Sequence, residues 1–245
     1  MAGHSKWSNI KHTKARQDAK RGKIFTKLIR EITVTAKMGG GDPAVNPRLR
    51  LAIERALNAN LSKENIERAI KRGVGNEYTD NLTEVRYEGY GLHGVAVIVD
   101  CLTDNKNRTV AEVRYVFNKC GGNLSAEGSV AYLFAKKGVL SFAPGCNEDM
   151  IMAIALETEA DDVRSNDDGS VDVFTKPQHF EEVKSALISA HLTPTRVNIK
   201  QIASTMVTLT QAQSEEITRL IDMLEDLDDV QFLYSNANIH ENRCT

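Results

Sequence analysis

The first 30 residues hold nine Lys and Arg against one acid, Asp18. Lys6, Lys11, Lys14, Arg16, Lys20, Arg21, Lys23, Lys27 and Arg30 supply the charge, His4 and His12 add ring nitrogens, and Trp7 adds an aromatic face. Lysine is a mobile point charge and arginine a rigid fork of donors, so an array of this kind suits rows of phosphates. Trp7 suits stacking on an unpaired base or wedging against a sugar. The same run also fits a solvated face or a dock for an acidic protein, and Trp7 also fits burial against a helical bundle. Lys71 and Arg72, with Lys63 and Arg68, form a second basic surface. Glu64 and Glu67 lie among them, so ion pairs along a helix account for much of that charge.

The array stands out against the rest of the chain. Residues 1–77 carry 17 Lys and Arg against 7 Asp and Glu, whereas residues 78–245 carry 14 against 26. The formal net charge of -2 conceals this split. A basic module on an acidic body points to a polyanionic partner, with long-range repulsion leaving only the basic face open to it.

Two further segments carry polar chemistry. Thr103–Thr109 (TDNKNRT) joins a strand to a helix. There Asp104 or Asn107 can cap the helix, its free amides can receive an anion, and Lys106 and Arg108 would reinforce that site beside Asn105. The alternative is that these residues only shape the loop. Tyr87–Gly94 (YEGYGLHG) offers Tyr87 and Tyr90 between glycines, either as a binding loop or as a tight connection between strands. It lacks the glycine spacing of a dinucleotide fingerprint. The polar stretch Gly121–Ser129 faces the same ligand or merely links two elements.

Nothing in the sequence suggests an enzyme. The six histidines form no short metal-binding pattern, and neither a nucleophile elbow nor a P-loop occurs. Asp161, Asp162, Asp167 and Asp168 fit a solvated acidic edge beside a turn better than a metal site. No metal and no cofactor is expected. The four cysteines are widely spaced, as in a reducing cytoplasm. The N-terminus has no apolar signal core, and no stretch is long and apolar enough to span a bilayer.

The elements that would position these residues follow from periodicity. Residues 1–18 show no clear period and read as an extended or mobile arm. Ile24, Phe25, Leu28, Ile29, Ile32 and Ala36 make one stripe of a helix from Ala19 to Met38, ended by Gly39-Gly40-Gly41. Asn46 caps a second helix with Pro47 at its first position. Ser62 caps a third, stapled by Leu61 and Ile66 and closed by Arg72-Gly73. Three amphipathic helices can share one core.

Beyond residue 80 the period changes. Strands are expected at Val85–Tyr87, Val95–Leu102, Val130–Phe134 and Val139–Phe142, the last two separated by Lys136-Lys137-Gly138. Further strands are expected at Val171–Phe174, Arg196–Ile199, Met206–Leu209 and Val230–Tyr234. Helices are expected around Val110–Cys120, Met150–Ile154, Phe180–Ile188 and Ile217–Leu224. The order over 139–200 is a split βαβ arrangement. The expected fold class is α+β multidomain: an N-terminal three-helix domain, then two α/β domains, the third ferredoxin-like and inserted within the second. The expected boundaries are 1–78 for the basic helical domain with its arm, 79–134 with 204–245 for the discontinuous domain, and 135–203 for the insert.

Several separated motifs carry a resemblance. They are Ala2-Gly3-His4-Ser5-Lys6-Trp7 with Asn9-Ile10-Lys11, Lys20-Arg21-Gly22-Lys23 leading into Phe25, and Arg68-Ala69-Ile70-Lys71-Arg72-Gly73. Tyr87-Glu88-Gly89-Tyr90-Gly91, Leu102-Thr103-Asp104-Asn105 with Asn107-Arg108-Thr109, Gly121-Gly122-Asn123-Leu124 and Gly128-Ser129-Val130 complete the set. With these the sequence resembles the YebC/PmpR family, which includes the mitochondrial translational activator of cytochrome oxidase subunit one. Leu92-His93 departs from the family pattern, where proline often follows the last loop glycine. The resemblance implies a helical N-terminal domain and two α/β domains. It also implies a regulator of gene expression, either a DNA-binding transcription regulator or an RNA- and ribosome-associated translation factor. The expected partner is therefore DNA or ribosomal RNA, and a purely protein-docking role is the third reading.

Overall fold

The computed structural model describes residues 6–75 and 82–238, and for residues 6–21 it describes the backbone path alone. His4 lies outside the described residues. Two compact units emerge. The first gathers the described residues up to Val85 with Asp100–Thr109 and Glu225–Gln231, and the second gathers Arg86–Val99, Val110–Leu224 and the described residues from Phe232.

The first unit is built on helix α1 (Lys6–Gly39), against which α2 (Pro47–Asn58) and α3 (Lys63–Val74) pack. Ile32, Ala36, Leu49, Ala52, Ala56, Ile66 and Ala69 form the core, with Phe25, Leu28 and Ile29 at its edge. Ile24, expected on that stripe, is 51% exposed, so the apolar row begins at Phe25. Asn46 caps α2 by accepting from the Leu49 N–H at 3.0 Å, while its amide donates to Thr35 O and Gly40 O. Ser62 caps α3 by accepting from Asn65 N–H.

Two expectations here are corrected. Helix α1 starts at Lys6, so Lys6–Asp18 is no extended arm. Its strong helix formers, Lys6, Lys11 and Lys14–Gln17, are interspersed with weak ones, and its large apolar residues, Trp7 and Ile10, are too few to set a period. Gly73 does not end α3 but lies within it. A Cβ there would sit 2.3 Å from Thr33 O of α1, so the glycine permits the two helices to approach.

Strands β1 (Thr83–Tyr90) and β2 (Ala96–Thr103) follow, then α4 (Lys106–Lys119) and the short β3 (Asn123–Ser125). After them come β4 (Phe134–Phe142), α5 (Glu148–Glu157), β5 (Asp162–Ser165), β6 (Val171–Thr175), α6 (Phe180–Ser189) and β7 (Arg196–Ala203). The chain closes with β8 (Val207–Thr208), α7 (Gln211–Glu225), β9 (Val230–Ser235) and β10 (Ala237–Asn238). One sheet has the order β3-β1-β2-β9 and another β5-β6-β4-β7, while β8 and β10 pair in parallel.

The β5-β6-β4-β7 sheet is antiparallel at every junction, and its βαββαβ order is the ferredoxin-like arrangement. The other sheet draws β1–β3 from before this block and β9 from after it, so the block is an insertion. The fold class is thus three helices followed by mixed α/β domains. Lys136-Lys137-Gly138 does not separate two strands, as expected, but lies within β4. A Cβ on Gly138 would stand 2.2 Å from the Phe180 ring and 2.5 Å from Thr175 Oγ1. That glycine seats an α6 aromatic on the sheet and makes no turn. Val130 precedes a single turn of 3₁₀ helix at Ala131–Leu133 rather than opening a strand.

Candidate nucleic-acid interface

The basic array lies on one helix. The first turns of α1 carry Lys6, Trp7, Lys11, His12, Lys14, Arg16, Lys20 and Arg21, and among the residues with described side chains the core begins at Phe25. At 1.5 Å per residue, residues 6–21 make a cationic rod about 24 Å long. Lys71 and Arg72 sit exposed in the last turn of α3.

Farther along α1 the cations are engaged by the protein itself. Lys23, Lys27 and Arg30 recur at spacings of four and three, which places them in one row. Lys23 Nζ donates to the Asp226 carboxylate at 3.0 Å and to Asp226 O at 3.1 Å. Lys27 Nζ donates to Glu225 O at 2.7 Å. Arg30 donates to Asp228 O at 2.9 Å and lies 3.5 Å from the Asp229 carboxylate. Burial lowers the Lys27 pKa, and Glu225, Asp228 and Asp226 only partly oppose this.

Asp229 is the centre of this contact and is 4% exposed. Its Oδ2 accepts from Thr109 Oγ1 at 2.7 Å, from Arg108 at 2.9 Å and from Thr103 Oγ1 at 3.1 Å. Burial alone would raise its pKa. The hydrogen bonds from Arg108, Thr109 and Thr103 outweigh burial and hold the carboxyl below its usual range. The bond to Asp229, and after it that to Asp104, keeps Arg108 firmly charged. Nearby Cys101 is the opposite case. Burial first, then Asp229 and Asp100, push its thiol up to about 12.

The segment Thr103–Thr109 therefore has its anion within the chain. Asn105 caps α4, accepting from Arg108 N–H at 3.0 Å, and its own N–H donates to Thr103 Oγ1. Neither Asp104 nor Asn107 caps the helix, as expected from sequence, because α4 begins at Lys106 and only Asn105 stands in the cap position. Lys106 and Asn107 are exposed on the first turn.

Tyr87 and Tyr90 lie on β1, and the residue between them governs the segment. Glu88 is 2% exposed and accepts from the N–H groups of Val130 and Ala131, both at 2.8 Å, and of Gly128 at 2.9 Å. Burial would raise its pKa, but these three bonds, aided by Arg86, bring it below the usual range. Tyr90 donates to Ser129 O at 3.1 Å, and its bond to Tyr132, followed by burial, raises the phenol's pKa. Tyr90 and Glu88 thus hold the 128–131 loop in place.

Sequence reasoning missed Glu88, Asp229 and the segment Glu225–Asp229. A run of four acids in five residues (EDLDD) was the available signal, a charge complement to the basic helix. Among the described residues no three His, Cys, Asp or Glu side chains are placed to hold a metal ion, and no helix is long and apolar enough to cross a membrane.

A family model described as the TACO1/YebC protein N-terminal domain matches residues 5–76, and one described as the TACO1/YebC second and third domain matches residues 82–237. A probable transcriptional regulatory protein of Coxiella burnetii is 61% identical over 241 residues, which cover 98% of this chain and 99% of the relative. One of Pseudomonas aeruginosa is 59% identical over 239 residues, covering 98% and 96%. The crystal structure of a conserved hypothetical protein from Aquifex aeolicus matches with a TM-score of 0.81 at 42% identity, over 93% of this chain and 94% of that one. On both halves of its sequence, the chain belongs to the TACO1/YebC family.

Proposed function

We propose that this protein is a non-catalytic, nucleic-acid-binding regulator of gene expression that grips phosphates with the N-terminal half of α1. The observation that carries this reading is the cationic sequence of residues 6–21 on one continuous helix, ahead of Phe25, the first described core residue of that helix. Lys6, Lys11, Lys14, Arg16, Lys20 and Arg21 supply the contacts, and Trp7 supplies a stacking surface. Lys71 and Arg72 extend the surface from α3. The name that these relatives carry, probable transcriptional regulatory protein, favours duplex DNA as the target.

One observation favours a second reading, folded RNA on the ribosome. A DNA-reading helix presents base-reading side chains at its N-terminal end. On α3 that end carries Glu64 and Glu67 beside Arg68, and Arg68 is bound to Glu64 at 2.7 Å. A phosphate-gripping rod with a stacking residue does not require a duplex.

Replacing Lys6, Lys11, Lys14 and Lys20 by alanine tests the shared claim. The slope of log K against log salt should fall by about 3 to 4 on a duplex, near 0.9 per lost phosphate contact. A folded variant with an unchanged slope would remove α1 from the interface. Crosslinking in living cells, with recovery of both DNA and RNA, separates the readings. Discrete promoter peaks identify a transcription regulator, dominant ribosomal RNA identifies a translation factor, and signal from neither pool refutes both.

A further inference from the structure

The row of cations on α1 does not stop at Arg21. Run back toward the N-terminus from Arg30, Lys27 and Lys23, the same three-and-four spacing meets Lys20 and then Arg16. One helical row thus holds five cations, and its C-terminal three are engaged by a single acidic segment. Lys23 meets both a carboxylate and a carbonyl of Asp226, Lys27 meets the Glu225 carbonyl, and Arg30 meets the Asp228 carbonyl with the Asp229 carboxylate beyond.

Carboxylate and carbonyl oxygens at such distances do for these cations what phosphate oxygens would do. Both classes present paired acceptors to an ammonium or a guanidinium group. The segment differs from an ordinary surface ion pair in its anchoring. Asp229 is buried in bonds to Thr103, Arg108 and Thr109, and its carbonyl accepts from Leu102 N–H at 2.8 Å. Glu225, Asp226 and Asp228 remain exposed around that anchor. A fixed foot with exposed acids is suited to release the cations without unfolding.

We infer that Glu225–Asp228 is an internal competitor for polynucleotide phosphates, occupying the C-terminal part of the cationic row of α1 and limiting how far along the helix a nucleic acid can bind. This rests on the reading of α1 as a phosphate-binding helix. It adds that the protein sets its own affinity ceiling. A polynucleotide that engages residues 6–21 gains Lys23, Lys27 and Arg30 only by displacing the segment.

The test is a triple variant, Glu225→Gln with Asp226→Asn and Asp228→Asn, in the full chain. Asp229 is left intact because it anchors the fold. A control with the same charge change in the other compact unit, Asp149→Asn with Glu157→Gln and Asp167→Asn, measures the general electrostatic gain. The probes are a mixed-sequence DNA duplex and a structured RNA hairpin, titrated across a salt series. The triple variant removes the Asp226 carboxylate from Lys23 and the neighbouring charge from Lys27 and Arg30, whose carbonyl partners stay in place, and should bind the better probe about three- to tenfold tighter than the control at about 50 mM salt, with a salt slope steeper by about 1. The gain should vanish when Lys23 and Lys27 are also alanine. Equal affinity and slope in triple variant and control overturn the competitor, as does a gain that persists without Lys23 and Lys27. If binding is lost on replacing Lys6, Lys11, Lys14 and Lys20 but is indifferent to the triple variant, only the competitor fails. If neither wild type nor triple variant binds either probe, the nucleic-acid reading fails with it.

Discussion

Glu88→Gln is the substitution whose effect the structure specifies most fully. Glu88 Oε2 accepts from Val130 and Ala131 N–H, and Oε1 accepts from Gly128 N–H. Glutamine is nearly isosteric but supplies one acceptor oxygen and one NH2 group. Its best orientation keeps the pair at Val130 and Ala131 and turns two donors toward each other at Gly128. Two charge-assisted bonds become neutral, at a loss of about 1 kcal/mol each, and the new amide at this 2% exposed position is left with a donor that has no partner, at about 1–3 kcal/mol. The sum is about 3–5 kcal/mol. The assay is amide hydrogen exchange over 128–131, which reads the local opening of the loop. Protection of Val130 and Ala131 at pH 7 should fall by about 10² or more, since each 1.4 kcal/mol is tenfold.

The pH dependence supplies a second check. The folded carboxyl of Glu88 lies below its usual range. Its stabilisation is therefore complete above the unfolded value near 4.3 and fades as pH falls through the lower folded value. The difference between wild type and Glu88→Gln should be constant from pH 7 to pH 5 and shrink below about pH 4. Protection within threefold of wild type at pH 7 would refute the carboxylate as the clasp of this loop.

Other outcomes follow from the same geometry. Gly138→Ala places a methyl group against the fully buried Phe180 ring, and urea unfolding should report a loss of about 2–3 kcal/mol, partly recovered by adding Phe180→Leu. Arg55→Ala strands Glu31, its partner at 2.9 Å, whose pKa burial already raises even with Arg55 present. The cost should be about 2–3 kcal/mol at pH 7 and smaller at pH 5, because a raised carboxyl favours the folded state as it protonates; an equal cost at both would refute the pairing. Cys101, with its thiol pushed up to about 12, should resist iodoacetamide in the native protein at pH 8, while the half-buried Cys120 and Cys146 label before it by mass spectrometry.

What could be read from sequence was local. Asn46 and Ser62 announce helix starts because a cap and the amide it serves lie three residues apart. The period of Phe25, Leu28, Ile29 and Ile32 shows because each turn of α1 there touches the same core. Lys6–Asp18 escaped this logic, since the signal sought was an apolar period and Trp7 and Ile10 alone do not set one, while its mixed helix propensities point to no element. Gly138 was misread for a related reason. A glycine that admits a ring from a later helix looks, in sequence, like one that makes a turn. The contact between Lys23 and Asp226 spans 203 residues and has no local signature. Only the opposed charges of the basic helix and the EDLDD run hinted at it.

The way β4 and β7 meet has a consequence for how this chain could have been assembled. Phe134, the first residue of the insert, lies opposite Ala203, the last, and Ser204 N–H donates to Leu133 O at 2.8 Å just outside them. The insert enters and leaves through one clasped pair of strands. To the host sheet, the whole of 134–203 is therefore equivalent to the tip of a hairpin. An unstructured loop of that length would carry about 4 kcal/mol of length-dependent closure cost, but an insert that folds with its ends together removes it. Such a stem lets a complete βαββαβ module be gained, exchanged or enlarged without changing the register of the strands that flank it.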